Sequence, residues 1–121
     1  MTDWNAYVRF RPEFIAVLDP ALYSPEWLDA MVFTGQFHLF TAENSAILAA
    51  IKVYPTGFKE LEGQAAVGNL DEIVRQLIPQ AEDFARSQGC SATVIESRAG
   101  WAKTMKRYGY HLHQTAIRKA L

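Results

Sequence analysis

The sequence predicts an α/β (α+β) fold, a mixed and mainly antiparallel sheet of about six strands with helices on both faces. Three observations carry this expectation. Short strand-like runs separated by turn residues fill the middle of the chain, a strongly periodic capped helix follows them, and a short apolar strand with a basic helix comes after. Strands followed by a helix and another strand give an antiparallel meander continued by a right-handed crossover to a parallel neighbour.

A chain of 121 residues is expected to form one domain, 1–121, since ordinary domains run to about 100–150 residues. It is 50% apolar or aromatic and only 21% charged, which suits a packed core rather than disorder. The longest apolar run, Ser45–Ile51, is far below the ~20 residues that a membrane span needs. No basic and apolar leader opens the chain, which argues against secretion. Cys90 is the sole cysteine, so no internal disulfide is expected and the reducing cytoplasm is the natural compartment.

Taken in order, residues 1–22 read as an N-terminal arm or strand. Tyr7–Phe10 has strand composition, Pro12 and Pro20 break longer elements, and Trp4, Tyr7 and Phe10 stand as exposed aromatics. Ser24 and Pro25 then form a helix start, with Trp27, Leu28, Met31 and Val32 at helical spacing and Gly35 as its stop. Gln36–Thr41, Ser45–Tyr54 and Phe58–Val67 are the three strands of the meander, and the middle one is apolar on both faces.

The next helix has the clearest period: Leu70, Ile73, Val74, Leu77, Ile78, Ala81, Phe84 and Ala85. Asn69 and Glu72 form a capping box, Gly89 is a left-handed stop, and Pro79 should kink the interior against the Arg75 carbonyl. Ala92–Ile95 reads as a buried strand. Trp101, Ala102, Met105 and Tyr108 mark the apolar stripe of a last helix, ended by Gly109, and Tyr110–Leu121 reads as a terminal strand.

The net charge of −1 conceals a segregation. All thirteen acids lie at or before Glu96, whereas Arg98, Lys103, Lys106, Arg107, Arg118 and Lys119 follow with no acid among them. A one-signed end can attract an anionic partner, or be balanced in space by acidic neighbours. Nucleic acid is not the expected partner, because the pI of about 6.3 is low and no binding motif is present. Single-histidine and paired-histidine readings (His38; His111 with His113) lack a third ligand, so no metal is expected. Cys90 has no base at a recognisable spacing and reads as a small core residue.

The succession Ala85-Arg86-Ser87-Gln88-Gly89-Cys90, Glu96-Ser97-Arg98-Ala99-Gly100-Trp101 and Lys106-Arg107-Tyr108-Gly109-Tyr110 resembles the GNAT acetyltransferase superfamily, in particular its short phage and prophage proteins. The resemblance implies that Phe58–Val67 and Ala92–Ile95 are parallel neighbours that splay apart. It implies acetyl-CoA or another acyl-CoA as donor, with backbone groups of Ala65, Ala66, Val67, Gly68 and Asn69 along its pantetheine and Arg98 or Lys103 at its phosphates. Transfer would go to a small-molecule or protein amine by direct attack, in a monomer or homodimer.

The sequence departs from that pattern in two places. The basic and glycine positions of the phosphate loop fall near Asn69, Glu72 and Val74, and Asp71 and Glu72 put acids in the first helical turn, where a helix start otherwise attracts anions. The position of the usual proton-donating tyrosine is Met105, leaving Tyr108 as the substitute candidate. A non-catalytic reading therefore stands beside the enzyme, with the N-terminal aromatics packing on a partner or a second subunit, in the cytoplasm or in a virion.

Overall fold

The computed structural model describes residues 3–96 and 100–121. Its elements in chain order are α1 (Trp4–Val17), α2 (Pro25–Phe33), β1 (His38–Thr41), β2 (Ser45–Val53), β3 (Lys59–Gly68), α3 (Leu70–Glu72), a π-helical segment (Ile73–Leu77), α4 (Ile78–Ser87), β4 (Ala92–Ile95), α5 (Gly100–Met105) and a 3-10 turn (Lys106–Tyr108). The sheet runs β1-β2-β3-β4, antiparallel for the first three strands and parallel between β3 and β4. This is the expected meander and crossover, with four strands among the described residues instead of six.

Both missing strands have physical reasons. The N-terminal segment is a helix, because Asp3 caps it by accepting from the backbone N–H groups of Asn5 and Ala6. Pro12 lies inside that helix, and the carbonyl it leaves without a donor belongs to Val8, on the solvent-facing side where water can replace the lost partner. Tyr7, Phe10 and Phe14 then recur at helical spacing and are buried, each contributing about 1.5–3 kcal/mol of apolar burial. Of the aromatics expected to be exposed only Trp4 is, resting against Phe33 at 6.0 Å. At the other end, residues 110–121 have no strand partner, and Leu112, Ile117 and Leu121 project into solvent.

Two layers of helix cover the sheet. On one face α1 and α2 bury Tyr7, Phe14, Leu28 and Val32 against Ala46, Leu48 and Val67. The other face packs Ile47, Ala49 and Leu61 against Ile73, Leu77, Ala81, Ala85 and Met105. A network of Tyr7, Arg11 and Asp29 ties α1 to α2: the Tyr7 hydroxyl donates to Asp29 at 2.7 Å, and Arg11 grips the same carboxylate with two N–H donors at 2.7 and 2.9 Å. Arg11 holds the Asp29 carboxyl below its ordinary range, while burial and Asp29 raise the Tyr7 hydroxyl.

The long periodic helix is not simply kinked at Pro79. Its turn before the proline widens to a π-helix, with the Ile78 N–H donating to the Ile73 carbonyl. The wider turn takes up the clash that the proline ring would make with the Arg75 carbonyl. Gly89 and Gly109 end their helices in the left-handed conformation, as expected. Tyr108, expected on the buried stripe, is 43% exposed because the helix tightens to a 3-10 turn there; Met105 holds the core position.

Candidate functional site

A β-bulge in β3 and an early end to its pairing with β4 create the site. In the β2–β3 ladder Leu48 pairs with Ala65 and Ala49 with Gly63, so Gln64 is an extra residue. The insertion reverses which face each side chain takes. Leu61 packs on the α4 side, whereas Ala65 and Val67, of the same parity, pack on the α1–α2 side.

The parallel ladder covers only Glu60–Gly63 against Ala92–Ile95. From Gln64 to Gly68 the strand keeps β2 on one side and, among the described residues, has no strand on the other. Peptide groups in an antiparallel ladder alternate between neighbours, so half of those in this stretch face the opening. At a rise of ~3.3 Å per residue the open edge is about 16 Å long.

A cavity of about 370 Å³ fills this wedge and passes through the sheet. Val17 and Leu18 border it from the end of α1, and Ile73, Ile78, Trp101 and Tyr110 from the opposite layer. Gln64, Ala65 and Ala66 lie along the open edge, with Ile95 and Glu96 across from them. The dimensions and the exposed peptide groups suit a narrow, amide-bearing chain laid in strand-like fashion.

Two carboxylates meet near the apex, and of the two only Glu96 lines the cavity. Parallel partners share a face, so Glu62, paired with Val94, lies on the same side as Glu96. Burial first, and the Glu96 charge next, raise the Glu62 carboxyl above the ordinary glutamate range. Glu96 lines the cavity itself. Neither residue is apparent as a pair in the sequence, where they lie on separate strands; only the parallel register joins them. The available signal was an acid directly preceding the Gly63-Gln64 bulge.

On the opposite wall the Tyr110 hydroxyl donates to Glu82 at 2.9 Å and shares a 2.7 Å hydrogen bond with Thr93. Burial and Glu82 push this phenol up to about 12, so it stays protonated and serves to position the wall.

The wide end of the wedge, near the start of α3, is closed to anions. Asn69 accepts from the Glu72 N–H at 2.9 Å, which is half of the expected capping box. The Glu72 side chain does not return to Asn69. It accepts from the Asn44 N–H at 2.9 Å and the Ser45 hydroxyl at 2.6 Å, and these donors hold its carboxyl below the ordinary range. Asp71 is paired with Arg75 at 2.7 Å on the exposed surface. The Asn69 N–H is itself engaged, donating to the Asn44 carbonyl at 3.2 Å. Gly68 has φ of +100°, and a Cβ there would lie 2.0 Å from the Asn44 oxygen, so the strand end is held tightly on the β1–β2 turn.

Of the residues expected to line a donor, Ala65 and Ala66 border the cavity, Val67 turns into the α1–α2 core, and Gly68 and Asn69 complete the open edge and its turn. Arg98 lies outside the described residues. Lys103 is exposed on α5, and Tyr108 is exposed under the Arg107 guanidinium, 5.0 Å from its ring; neither borders the cavity. His38 is half-buried on β1, where it rests on Phe84 at 4.7 Å, and burial lowers its pKa. No group of three or more metal-ligating side chains occurs among the described residues. No described helix is long and apolar enough to cross a membrane.

No protein-family model and no curated protein matches the sequence. Solved structures do match in shape. A predicted acetyltransferase from Clostridium acetobutylicum, solved with acetyl-CoA, superposes with a TM-score of 0.68 at 10% identity, over 96% of this chain and 88% of that one. The fold is that of the GNAT acetyltransferases. The ribosomal-protein-alanine N-acetyltransferase of Brucella melitensis shares it at TM-score 0.64 and 13% identity, over 93% and 91% of the two chains. The glucosamine-6-phosphate N-acetyltransferase of Arabidopsis thaliana does so at 0.57 and 12%, over 80% and 78%. One scaffold thus serves acceptors as different as those two names describe, and the acceptor has to be argued from the site.

Proposed function

We propose that this chain is an N-acyltransferase that moves an acyl group from a pantetheine-linked thioester to an amine. The observation that carries the reading is the open β3 edge, Gln64–Gly68, running along a through-sheet cavity that Glu96 lines, with Glu62 beside Glu96. An arm entering from the wide end lies along Ala65–Asn69 and brings its thioester to the apex.

There the chain's own residues have three tasks. Backbone groups of the open edge orient the arm and fix the reacting carbon, which replaces a bimolecular encounter by a positioned one. The apolar walls, Ile73, Ile78 and Trp101, exclude water from the thioester. Glu62 accepts a proton from the incoming amine, its raised pKa placing it closer to neutrality than an ordinary glutamate. A carbon–nitrogen bond forms, the carbon–sulfur bond breaks, and the departing thiolate takes a proton through water. No covalent enzyme intermediate is needed. A pair of acids at the apex also suits an acceptor that arrives as a cation.

Free acyl-CoA fits this site only in part. The arm has a groove of suitable width and length, but the diphosphate beyond it would meet Asp71 and Glu72. Within this reading the chain stands beside the short phage-type proteins it resembles, on the order of its motifs. The non-catalytic alternative keeps only Trp4 of the three aromatics that motivated it, since Tyr7 and Phe10 are core residues.

The test is acetyl transfer from S-acetyl-pantetheine to a panel of primary amines, followed by mass spectrometry. Amide product that depends on Glu62 supports the reading. Hydrolysis alone, or no reaction with any amine, counts against it.

A further inference from the structure

Two features of the elements around the wedge have opposite sign. The start of α3 presents an ionised Glu72 and an Asp71 whose charge Arg75 pairs, so it offers a nucleotide diphosphate no net positive charge. The helix that walls the cavity, α5, carries Lys103, followed by Lys106 and Arg107 in the 3-10 turn. It is fixed there by Trp101 and Met105, which pack against Ile73 and Val74 just after the acidic turn. Among the described residues these three bases, with Arg118 and Lys119, have no ion-pair partner: the salt bridges found use Arg11, Arg75 and Arg86. No acid follows Glu96 in the sequence to balance them.

A donor suited to both features has an uncharged stretch at the acidic turn and a negative surface beyond it. A carrier protein meets that description, because its arm crosses the rim as pantetheine while its body stands over the neighbouring helix. We propose that the thioester reaches this site on the pantetheine arm of an acidic carrier protein that docks on Lys103, Lys106 and Arg107, instead of as a free CoA ester. The proposal rests on the acyltransferase reading and names its donor. The chemistry is unchanged: the carbon–sulfur bond to the arm breaks, the carbon–nitrogen bond to the acceptor forms, and the carrier leaves with a free thiol that has regained its proton.

Long-range attraction between charged surfaces raises the association rate and is screened by salt. The experiment therefore compares three probes on the full chain: S-acetyl-pantetheine, acetyl-CoA, and a purified acidic acyl carrier protein bearing an S-acetyl arm. Binding is followed by calorimetry at low salt and at about 0.5 M salt. The carrier-borne thioester is expected to bind at least about tenfold more tightly than acetyl-CoA at low salt and to lose that advantage at high salt. The K106E/R107E variant should lose it too while binding S-acetyl-pantetheine as the parent does, which shows that the cleft is intact. Equal or tighter binding of acetyl-CoA, or undiminished carrier binding by the variant, overturns the proposal and leaves the acyltransferase reading standing. Failure of all three probes to bind overturns both.

Discussion

The Glu72 carboxylate accepts a hydrogen bond from the fully buried Ser45 hydroxyl at 2.6 Å, joining the first turn of α3 to the start of β2. The same carboxylate takes the Asn44 N–H, so one acid serves the turn between β1 and β2 as well. A helix start commonly holds an external anion; here the protein's own carboxylate is directed to the neighbouring strand, and Asp71 is paired with Arg75. Stability and donor choice meet in this contact.

Removing the hydroxyl tests the structural half. Ser45→Ala should destabilise by about 1.5 kcal/mol in urea unfolding at neutral pH, the low end for a hydrogen bond to a charged group. Glu72 has a depressed pKa in the folded state, so its contribution is present above the unfolded value and is lost as pH falls through the folded one. The difference between parent and variant should shrink over that acidic range. A difference independent of pH would show that Glu72 is not the partner that matters.

Glu62 predicts opposite effects on activity and stability. Glu62→Gln should lower kcat/KM for acyl transfer by about a hundredfold, the low end for removal of a general base. The parent's rate should rise with pH as Glu62 loses its proton, above the ordinary glutamate range, and the variant should lack that limb. In stability the sign is reversed. A carboxyl whose folded pKa is raised costs stability as pH rises above its unfolded value, so the glutamine variant should melt slightly higher at neutral pH. Unchanged kinetics would remove Glu62 from the mechanism.

At Gly68 steric conflict and backbone conformation act together. Gly68→Ala forces a Cβ onto the Asn44 carbonyl in a left-handed conformation and should destabilise by on the order of 3 kcal/mol. Gly35→Ala has the same hand of backbone but open space around it, and should cost about 1 kcal/mol. Equal costs at both positions would mean that the strand end is not held on the turn as described.

The N-terminal helix gives a direct contrast. Phe14→Ala should cost about 3–5 kcal/mol as a fully buried aromatic. Tyr7→Phe should cost about 1.5–3 kcal/mol, because the Tyr7 hydroxyl donates to the charged Asp29. An arm lying outside the core would tolerate both changes.

How much of this was legible depends on how local the cause was. The Asn69–Gly89 helix, the three strands of the meander and Ala92–Ile95 each announce themselves through periodicity and turn residues, and they fall within a few residues of the expected positions. Helix α1 does not, because Pro12 has the local signature of a breaker, whereas the exposed Val8 turn lets water replace the lost donor and three buried aromatics offset it. The open edge at Ala65–Asn69 followed from the resemblance. The bulge at Gln64 that shapes it depends on register between residues about fifteen apart, and the meeting of Glu62 with Glu96 on register between strands about thirty apart, which no local pattern records.

The central claim is that Gln64–Gly68 offers unpaired peptide groups to a pantetheine thioester. An NMR titration of the labelled chain with S-acetyl-pantetheine tests it most directly. Amide shifts concentrated at Gln64–Asn69 and Val94–Glu96, with Glu60–Leu61 unmoved inside the closed ladder, are the predicted result. Shifts elsewhere, or none at millimolar ligand, would contradict the account.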